Sequence, residues 1–145
     1  VFEYKGISRP AKVKIADFRV EQLLDKLIDN AIDFSNEGGR IEVSIFYSEE
    51  RFILTVANEG PKIPTEMLEN VFDSMISIRE TNPDNRLHFG MGLYVVRIIA
   101  KHHGGNVKAV NLSGGRGVKI DVSLPEFSEL RPISKTNSEL NTEKA

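Results

Sequence analysis

Residues 19–35 form the longest amphipathic stretch of the chain, and their apolar side chains recur at the spacing of an α-helix. At ~100° per residue, these apolar positions share one broad arc of the helix, which is the arc that a protein core would cover. Asp17 precedes the first apolar residues and is predicted to cap the helix, which is predicted to end near residues 36–39. Three polar residues lie in a row along one border of the apolar arc: Lys26, Asn30 and Asp33.

Alternating and β-branched runs predict strands on both sides of this helix. Residues 1–5 are predicted to form an edge strand. Residues 11–16 alternate apolar and basic side chains, which predicts a half-buried strand. Four further runs are predicted to pair into two antiparallel hairpins: residues 40–47 with 51–57, and residues 106–112 with 118–124.

Turns and a second apolar helix complete the predicted elements. Residues 58–64 are a turn by composition, and Thr65 is predicted to cap a short helix that runs to about Val71. Residues 93–103 are predicted to form a helix closed by the glycines at 104 and 105. The elements predict an α+β fold, a two-layer α/β sandwich in which about three helices cover one face of a mixed, mostly antiparallel sheet.

Length and composition predict one domain over residues 1–125 and a polar tail over residues 126–145, flexible or packed on the surface. The formal charge of −2 and the spread of Lys and Arg favour neither a nucleic-acid partner nor a direct membrane contact. The chain has no cysteine, which excludes disulfides and thiolate metal sites. It begins at Val1, from which we expect a fragment of a longer protein.

Three features are candidates for chemistry, and each has an ordinary alternative. Gly90-Met91-Gly92 before a helix lets backbone amides approach a phosphate, although two glycines there also make a common loop. Asn58 follows a strand, where its amide can bind a flat heterocycle or bond its own backbone in a turn. Asn30 lies in the polar row, which can border a ligand or be solvated. The order and spacing of the three features are more informative than any one of them.

Taken together, these residues resemble the ATP-binding catalytic domain of bacterial sensor histidine kinases. This domain has the fold shared with gyrase, the ninety-kilodalton heat-shock chaperones and the mismatch-repair ATPases, often called the Bergerat fold. The run Leu-Asp-Lys-Leu-Ile-Asp-Asn-Ala-Ile-Asp-Phe-Ser at residues 24–35 is similar to the family's N box. Residues 58–64 are similar to its first glycine box, 72–75 to its phenylalanine box, and 90–93 with 103–105 to its second glycine box.

The resemblance implies two ligands, ATP and Mg²⁺, and a role for each matching residue. Asn30 is expected to hold Mg²⁺ on the phosphates, and Asn58 is expected to bind the adenine amino group. Arg79 and Arg86 lie in a polar loop that resembles the family's ATP lid; either could reach the γ-phosphate or be solvated. The expected catalytic residues are Asn30 and Lys26, and the expected nucleotide-binding residues are Asn30, Asp33, Phe34, Asn58, Gly60, Ile63, Arg79, Arg86, Gly90, Met91, Gly92 and Leu93.

The sequence departs from the family pattern in the N box. Lys26 stands where the family has an asparagine or an acid, and Asp33 stands where it has a basic residue that reaches the phosphates. An anionic Asp33 would repel a triphosphate unless Mg²⁺ intervenes. Two interpretations of Lys26 stay open: it supplies the missing cation, or it pairs with Asp29 on a solvated surface. Four further departures are Asn58 for aspartate, Lys62 and His88 for glycines, and Met75 for an aromatic residue.

The function implied by the resemblance is transfer of the γ-phosphoryl group of Mg²⁺-ATP to a histidine on a separate dimerisation domain of the parent protein. The implied partners are that dimerisation domain and a response regulator. The implied location is cytoplasmic, within a parent protein anchored in the inner membrane. Two alternatives stay open: a degenerate nucleotide-binding or interaction module of the same fold, and a serine-directed kinase like those that regulate sigma factors.

Overall fold

A computed structural model describes residues 2–6, 12–73 and 91–127 of the chain. Its strands form one five-stranded sheet with the order β1-β2-β3-β5-β4. The α-helices and strands of the described residues are β1 (Phe2–Lys5), α1 (Asp17–Asp33), β2 (Ile41–Ser48), β3 (Arg51–Glu59), α2 (Gly92–His102), β4 (Asn106–Asn111) and β5 (Gly117–Pro125).

The sheet is mixed and mostly antiparallel, as predicted. β1 lies at one edge and runs parallel to β2, whereas β2–β3, β3–β5 and β4–β5 are antiparallel pairs. Both predicted hairpins are present. In the β2–β3 hairpin, Ser48 pairs with Arg51, which leaves Glu49 and Glu50 as a two-residue turn with φ angles of 50° and 59°.

The core lies between the sheet and the two helices, which pack against each other and against β3, β4 and β5. Fully burying one aliphatic side chain stabilises a fold by about 1.5–3 kcal/mol, so this layer provides most of the driving force for folding. The helices therefore share one face of the sheet, which confirms the predicted two-layer α+β sandwich. Among its buried residues are Leu23, Leu27, Ala31, Val56, Leu93, Val96, Ile99, Ala100, Ile120 and Val122.

The predicted strand at residues 11–16 is wrong over its described part, residues 12–16, which belong to no strand. Val13 and Ile15 are half-buried while their neighbours are exposed, so the predicted alternation of exposure is present. A hydrogen bond from the Phe127 N–H to the Lys12 carbonyl, at 2.8 Å, joins this segment to the chain after β5. Alternation reports which side chains face the core, but it does not identify a strand with which to pair.

Two predicted helix caps are also wrong. Ala16 occupies the N-cap of α1 and makes no side-chain cap, while Asp17 is in the first turn, where its charge favours the helix dipole. Pro64, not Thr65, occupies the next N-cap, and the predicted short helix is two 3₁₀ turns, Thr65–Met67 and Asn70–Phe72. The helix α1 ends at Asp33, earlier than predicted, with Phe34 as its C-cap.

The end of α2 follows the prediction. Gly104 has a φ of 71°, and its N–H donates to the Lys101 carbonyl at 3.1 Å, so glycine closes the helix in the left-handed conformation. After β5, the Glu126 carboxylate accepts a hydrogen bond from the Tyr47 hydroxyl at 2.7 Å. The predicted tail from residue 128 onward lies outside the described residues. In the described part of the chain, no helix has both the length and the apolar character needed to cross a membrane.

Candidate functional site

The polar row of α1 spans the last two turns of the helix. Lys26 and Asn30 are half-buried, and Asp33, the last residue of α1, is exposed. The Lys26 ammonium lies 4.0 Å from the Asp29 carboxylate, and these side chains are 42% and 68% exposed. An ion pair this long and this exposed contributes little to stability, so the contact leaves the Lys26 ammonium available to a stronger anion.

The first turn of α2 lies beside Lys26. A Cβ atom built on Gly92 would lie 3.9 Å from Cδ of Lys26 and 3.9 Å from its carbonyl oxygen. The first amides of a helix have no intrahelical acceptor and carry partial positive charge, and the first turn of α2 holds no acidic residue. Met91 is exposed at the N-cap and Leu93 is buried. The structure therefore brings together a lysine, a glycine and a helix N-terminus, which are groups that commonly bind phosphate.

Asn58, Gly60 and Phe34 meet at the other end of the row, where β3 ends beside the C-terminus of α1. Asn58 is only 5% exposed, and its Nδ2 donates to the Phe34 carbonyl at 3.2 Å. Because a carbonyl can only accept, this contact fixes the orientation of the amide and leaves Oδ1 as its acceptor. The predicted turn at residues 58–64 begins later than expected, since Asn58 and Glu59 belong to β3.

Gly60 is required by the close approach of two chain segments at this corner. A Cβ at this position would lie 2.0 Å from the Phe34 carbonyl oxygen and 3.1 Å from Nδ2 of Asn58. The Gly60 N–H donates to the Arg116 carbonyl at 3.2 Å. The corner is thus a rigid junction of α1, β3 and the β4–β5 turn, built with no room for a side chain.

Asn111 contacts the predicted site residue Ile63, and the sequence did not reveal this contact. Asn111 ends β4, and its Oδ1 accepts from the Ile63 N–H at 2.9 Å while its Nδ2 donates to the Ile63 carbonyl at 2.7 Å. These two bonds attach the segment after Gly60 to the sheet. A polar residue at the end of a predicted strand was the only available signal, and it gives no indication of the partner 48 residues away.

Several predicted site residues cannot be placed. Arg79, Arg86 and Gly90, like Met75 of the proposed phenylalanine box, lie outside the described residues. Phe72 and Asp73 of that box are described: Phe72 is buried, and Asp73 accepts from the Arg97 guanidinium at 2.7 Å. The start of this box is therefore attached to α2.

Two further features of the described residues bear on ligand binding: their acidic and histidine side chains, and a hollow over α1. No cluster of three or more His, Asp or Glu side chains in the described residues could hold a metal ion. A shallow hollow of about 630 Å³ lies over α1 and includes Lys26, but it contacts neither Asn58 nor Gly60. The described residues predicted to bind nucleotide lie instead along the polar row of α1, at the Asn58 corner and at the N-terminus of α2. The hollow over α1 is lined by Phe18, Arg19, Glu21, Gln22, Asp25, Lys26 and Asp29.

Comparison with known proteins identifies the family of this chain. The family model described as histidine kinase-, DNA gyrase B- and HSP90-like ATPase matches residues 16–128. Sensor histidine kinase WalK of Bacillus subtilis is 33% identical over 123 residues, which cover 83% of this chain and 20% of WalK. Sensor protein ChvG of Rhizobium meliloti is 36% identical over 114 residues, which cover 75% of this chain and 20% of ChvG. The chain thus spans about a fifth of the length of these relatives.

Solved structures of histidine kinases share the fold of this chain. The catalytic domain of histidine kinase ThkA in a nucleotide-free form gives a TM-score of 0.73 at 26% identity, covering 86% of this chain and 78% of that domain. ThkA in complex with response regulator protein TrrA gives a TM-score of 0.70 at 25% identity, covering 90% of this chain and 35% of that one. The resemblance inferred from the sequence is confirmed. The chain belongs to the histidine kinase-, DNA gyrase B- and HSP90-like ATPases, and its fold is that of a histidine kinase catalytic domain.

Proposed function

We propose that this domain binds Mg²⁺-ATP and transfers the γ-phosphoryl group to a histidine on a separate dimerisation domain of its parent protein. The observation that carries the proposal is the pairing of two sites along α1. At one end, the buried Asn58 amide is bonded to the Phe34 carbonyl. At the other end, Lys26 lies beside Gly92 at the N-terminus of α2. Lys26 and Phe34 are eight residues apart, about 12 Å along the helix axis. An extended nucleotide would contact both ends.

The base end of the site follows from the orientation of Asn58. Its Nδ2 is committed to the Phe34 carbonyl, so Oδ1 is the atom that would accept from the adenine amino group. At Gly60, the Phe34 carbonyl occupies the position that a Cβ would take, so this glycine lets the end of β3 pack against α1 and keeps the Asn58 amide in place for the base. Ile63 would offer an apolar contact at the edge of the ring. Phe34 contributes its carbonyl to the same corner.

The phosphate end of the site combines backbone amides with a lysine. The N–H groups of Gly92 and Leu93 would bind phosphate oxygens, and Gly92 allows close approach. Gly90 and the exposed Met91 would complete this loop. Lys26 would neutralise phosphate charge in place of the basic residue absent at Asp33. Arg79 and Arg86 are proposed to reach the γ-phosphate from the segment before α2.

Asn30 would complete the site as a ligand of Mg²⁺, which is bound mainly by phosphate oxygens and water. The chemistry that Mg²⁺ would supply there is an offset to the negative charge that develops during phosphoryl transfer. The transfer breaks the bond from the γ-phosphorus to the β–γ bridging oxygen, forms a bond to the acceptor imidazole nitrogen and releases ADP. The protein would act by positioning and by charge stabilisation.

The partners of the parent protein are part of the same proposal. A structural neighbour, ThkA, has been crystallised in complex with the response regulator TrrA. We propose that a response regulator likewise receives the phosphoryl group in this system. Anchoring of the parent protein in the inner membrane, with this domain on the cytoplasmic side, stays a prediction.

Calorimetric titration tests the metal and phosphate roles together. ADP and a non-hydrolysable ATP analogue are titrated into the chain with and without Mg²⁺. We expect Mg²⁺ to tighten binding of the ATP analogue, and Asn30→Ala to abolish that tightening while metal-free ADP binding is retained. Asn36→Ala, at an exposed position after α1, is the matched control. Failure of the unaltered chain to bind nucleotide at millimolar concentration would favour the degenerate module.

Lys26→Ala separates the two interpretations of that lysine. If Lys26 binds phosphate, the affinity for the ATP analogue falls about tenfold, the effect of losing one charge-assisted hydrogen bond. If Lys26 only pairs with Asp29, the affinity does not change. Lys101→Ala removes an exposed lysine at the far end of α2 and controls for the change in net charge.

A further inference from the structure

The segment between Gly60 and Pro64 has no regular secondary structure, yet it is attached to the sheet at two points. Its first attachment is the Gly60 N–H donating to the Arg116 carbonyl at 3.2 Å. Its second is the pair of hydrogen bonds between the Asn111 amide and the backbone N–H and carbonyl of Ile63, at 2.9 and 2.7 Å. Both attachments come from the turn end of the β4–β5 hairpin.

The Asn111 contact requires an amide. One side chain satisfies both backbone groups of Ile63, the donor and the acceptor, as a neighbouring strand would. Aspartate has the same shape but cannot donate to the Ile63 carbonyl, and its charge would repel that oxygen. Leucine fills the same volume and satisfies neither group. The identity of residue 111 therefore determines where the Ile63 backbone lies.

The position of Ile63 relative to Asn58 is thereby fixed. Asn58 and Gly60 are buried at the end of β3, and Ile63 is partly buried against the core. Because both backbone groups of Ile63 are bonded to Asn111, the point from which the Ile63 side chain projects is held in place. An adenine ring at the Asn58 amide would contact Ile63 only in the position that Asn111 sets.

We propose that Asn111 is a positioning residue for recognition of the base. This inference rests on the proposed binding of ATP at the Asn58 corner. Asn111 touches no part of the nucleotide; it acts through the Ile63 backbone. Its loss should therefore weaken binding of the adenine portion and leave binding of the phosphates unchanged.

The test compares two probes, ADP and inorganic tripolyphosphate, by calorimetry. In Asn111→Asp and Asn111→Leu, we expect the ADP affinity to fall about tenfold, the effect of about 1.4 kcal/mol, while the tripolyphosphate affinity is retained. Asn111→Gln keeps both amide groups and should recover part of the ADP affinity. Asn106→Asp and Asn106→Leu, at the exposed start of the same strand, are the matched controls. Amide exchange at Ile63 should accelerate in Asn111→Leu, which removes the acceptor of the Ile63 N–H, and not in Asn106→Leu.

The outcomes separate this inference from the proposed function. If the unaltered chain binds neither probe, the proposed function fails and the inference fails with it. If it binds ADP and Asn111→Asp binds ADP equally well, only the inference is overturned. Equal weakening of both probes would also overturn it, because that result indicates a general loss of structure. Asn111→Asp and Asn111→Gln keep the test decisive if Asn111→Leu does not fold.

Discussion

Replacing Gly60 by alanine tests the packing of the corner at which α1, β3 and the β4–β5 turn meet. The added Cβ would lie 2.0 Å from the Phe34 carbonyl oxygen and 3.1 Å from Nδ2 of Asn58. The carbonyl belongs to backbone at the helix C-cap, so it cannot rotate away as a flexible side chain would. The clash can be relieved only by moving Gly60 or Phe34, which separates the Asn58 amide from its acceptor.

The magnitude follows from two contributions. Overpacking of a tight interior typically costs about 1–3 kcal/mol. Loss of the hydrogen bond from the 5%-exposed Asn58 adds about 1–3 kcal/mol, because the buried donor is left without its acceptor. We expect Gly60→Ala to lower the free energy of unfolding by about 3 kcal/mol. For a domain of this size, that loss lowers the Tm by about 10 °C.

Three other glycines provide a calibrated comparison by thermal and urea denaturation. Gly38 and Gly115 have φ angles of 72° and 66° and no atoms within 4 Å of an added Cβ, so alanine there costs only backbone strain, about 1 kcal/mol. A Cβ added at Gly92 would lie 3.9 Å from the nearest atoms of Lys26, which is an ordinary contact distance, so alanine there should not destabilise the fold. If Gly60→Ala were no more destabilising than Gly38→Ala, the close approach to Phe34 would not constrain the fold.

Two further stability predictions concern the β2–β3 turn and the attachment of Asp73. The double change Glu49→Asn and Glu50→Gly should stabilise the turn by about 1 kcal/mol, because both positions have positive φ and Asn-Gly favours such a hairpin turn. The expected rise in Tm is about 3 °C, and an unchanged or lower Tm would contradict this prediction. A double-mutant cycle of Arg97→Met and Asp73→Asn should give a coupling below about 1 kcal/mol that shrinks in 1 M salt, since these side chains are 32% and 49% exposed. A coupling above about 2 kcal/mol would show a more strongly desolvated pair.

The main elements of the fold could be predicted because each has a strong local pattern. The apolar periodicity of α1 and α2 and the β-branched runs of both hairpins identify their type, and the register follows from short turns. The segment at residues 12–16 shows where such patterns fail. Its side chains do alternate between exposed and half-buried. A strand also needs a neighbouring strand with which to form hydrogen bonds, and no local pattern specifies one.

The contacts that complete the site depend on residues far apart in the chain. Asn58 meets Phe34 across 24 residues, and Asn111 meets Ile63 across 48. The composition of the turn identified Asn58 and Gly60 as candidates. Only the structure explains why residue 60 is a glycine: a Cβ there would lie 2.0 Å from the Phe34 carbonyl oxygen. Asn111 has no comparable signal, because an asparagine at a strand end is equally suited to solvent.

The two departures in the N box have unequal consequences. Lys26 places its Cδ 3.9 Å from the Cβ position of Gly92, so its ammonium can reach the N-terminus of α2. Asp33 is seven residues later, about 10 Å along the axis, and next to the Phe34 corner. Each unit of phosphate charge at that separation would repel Asp33 by about 0.4 kcal/mol in water, and Asp33 is exposed to water. Because salt screens this repulsion further, we predict that Asp33 permits nucleotide binding when Lys26 supplies a cation at the phosphate end.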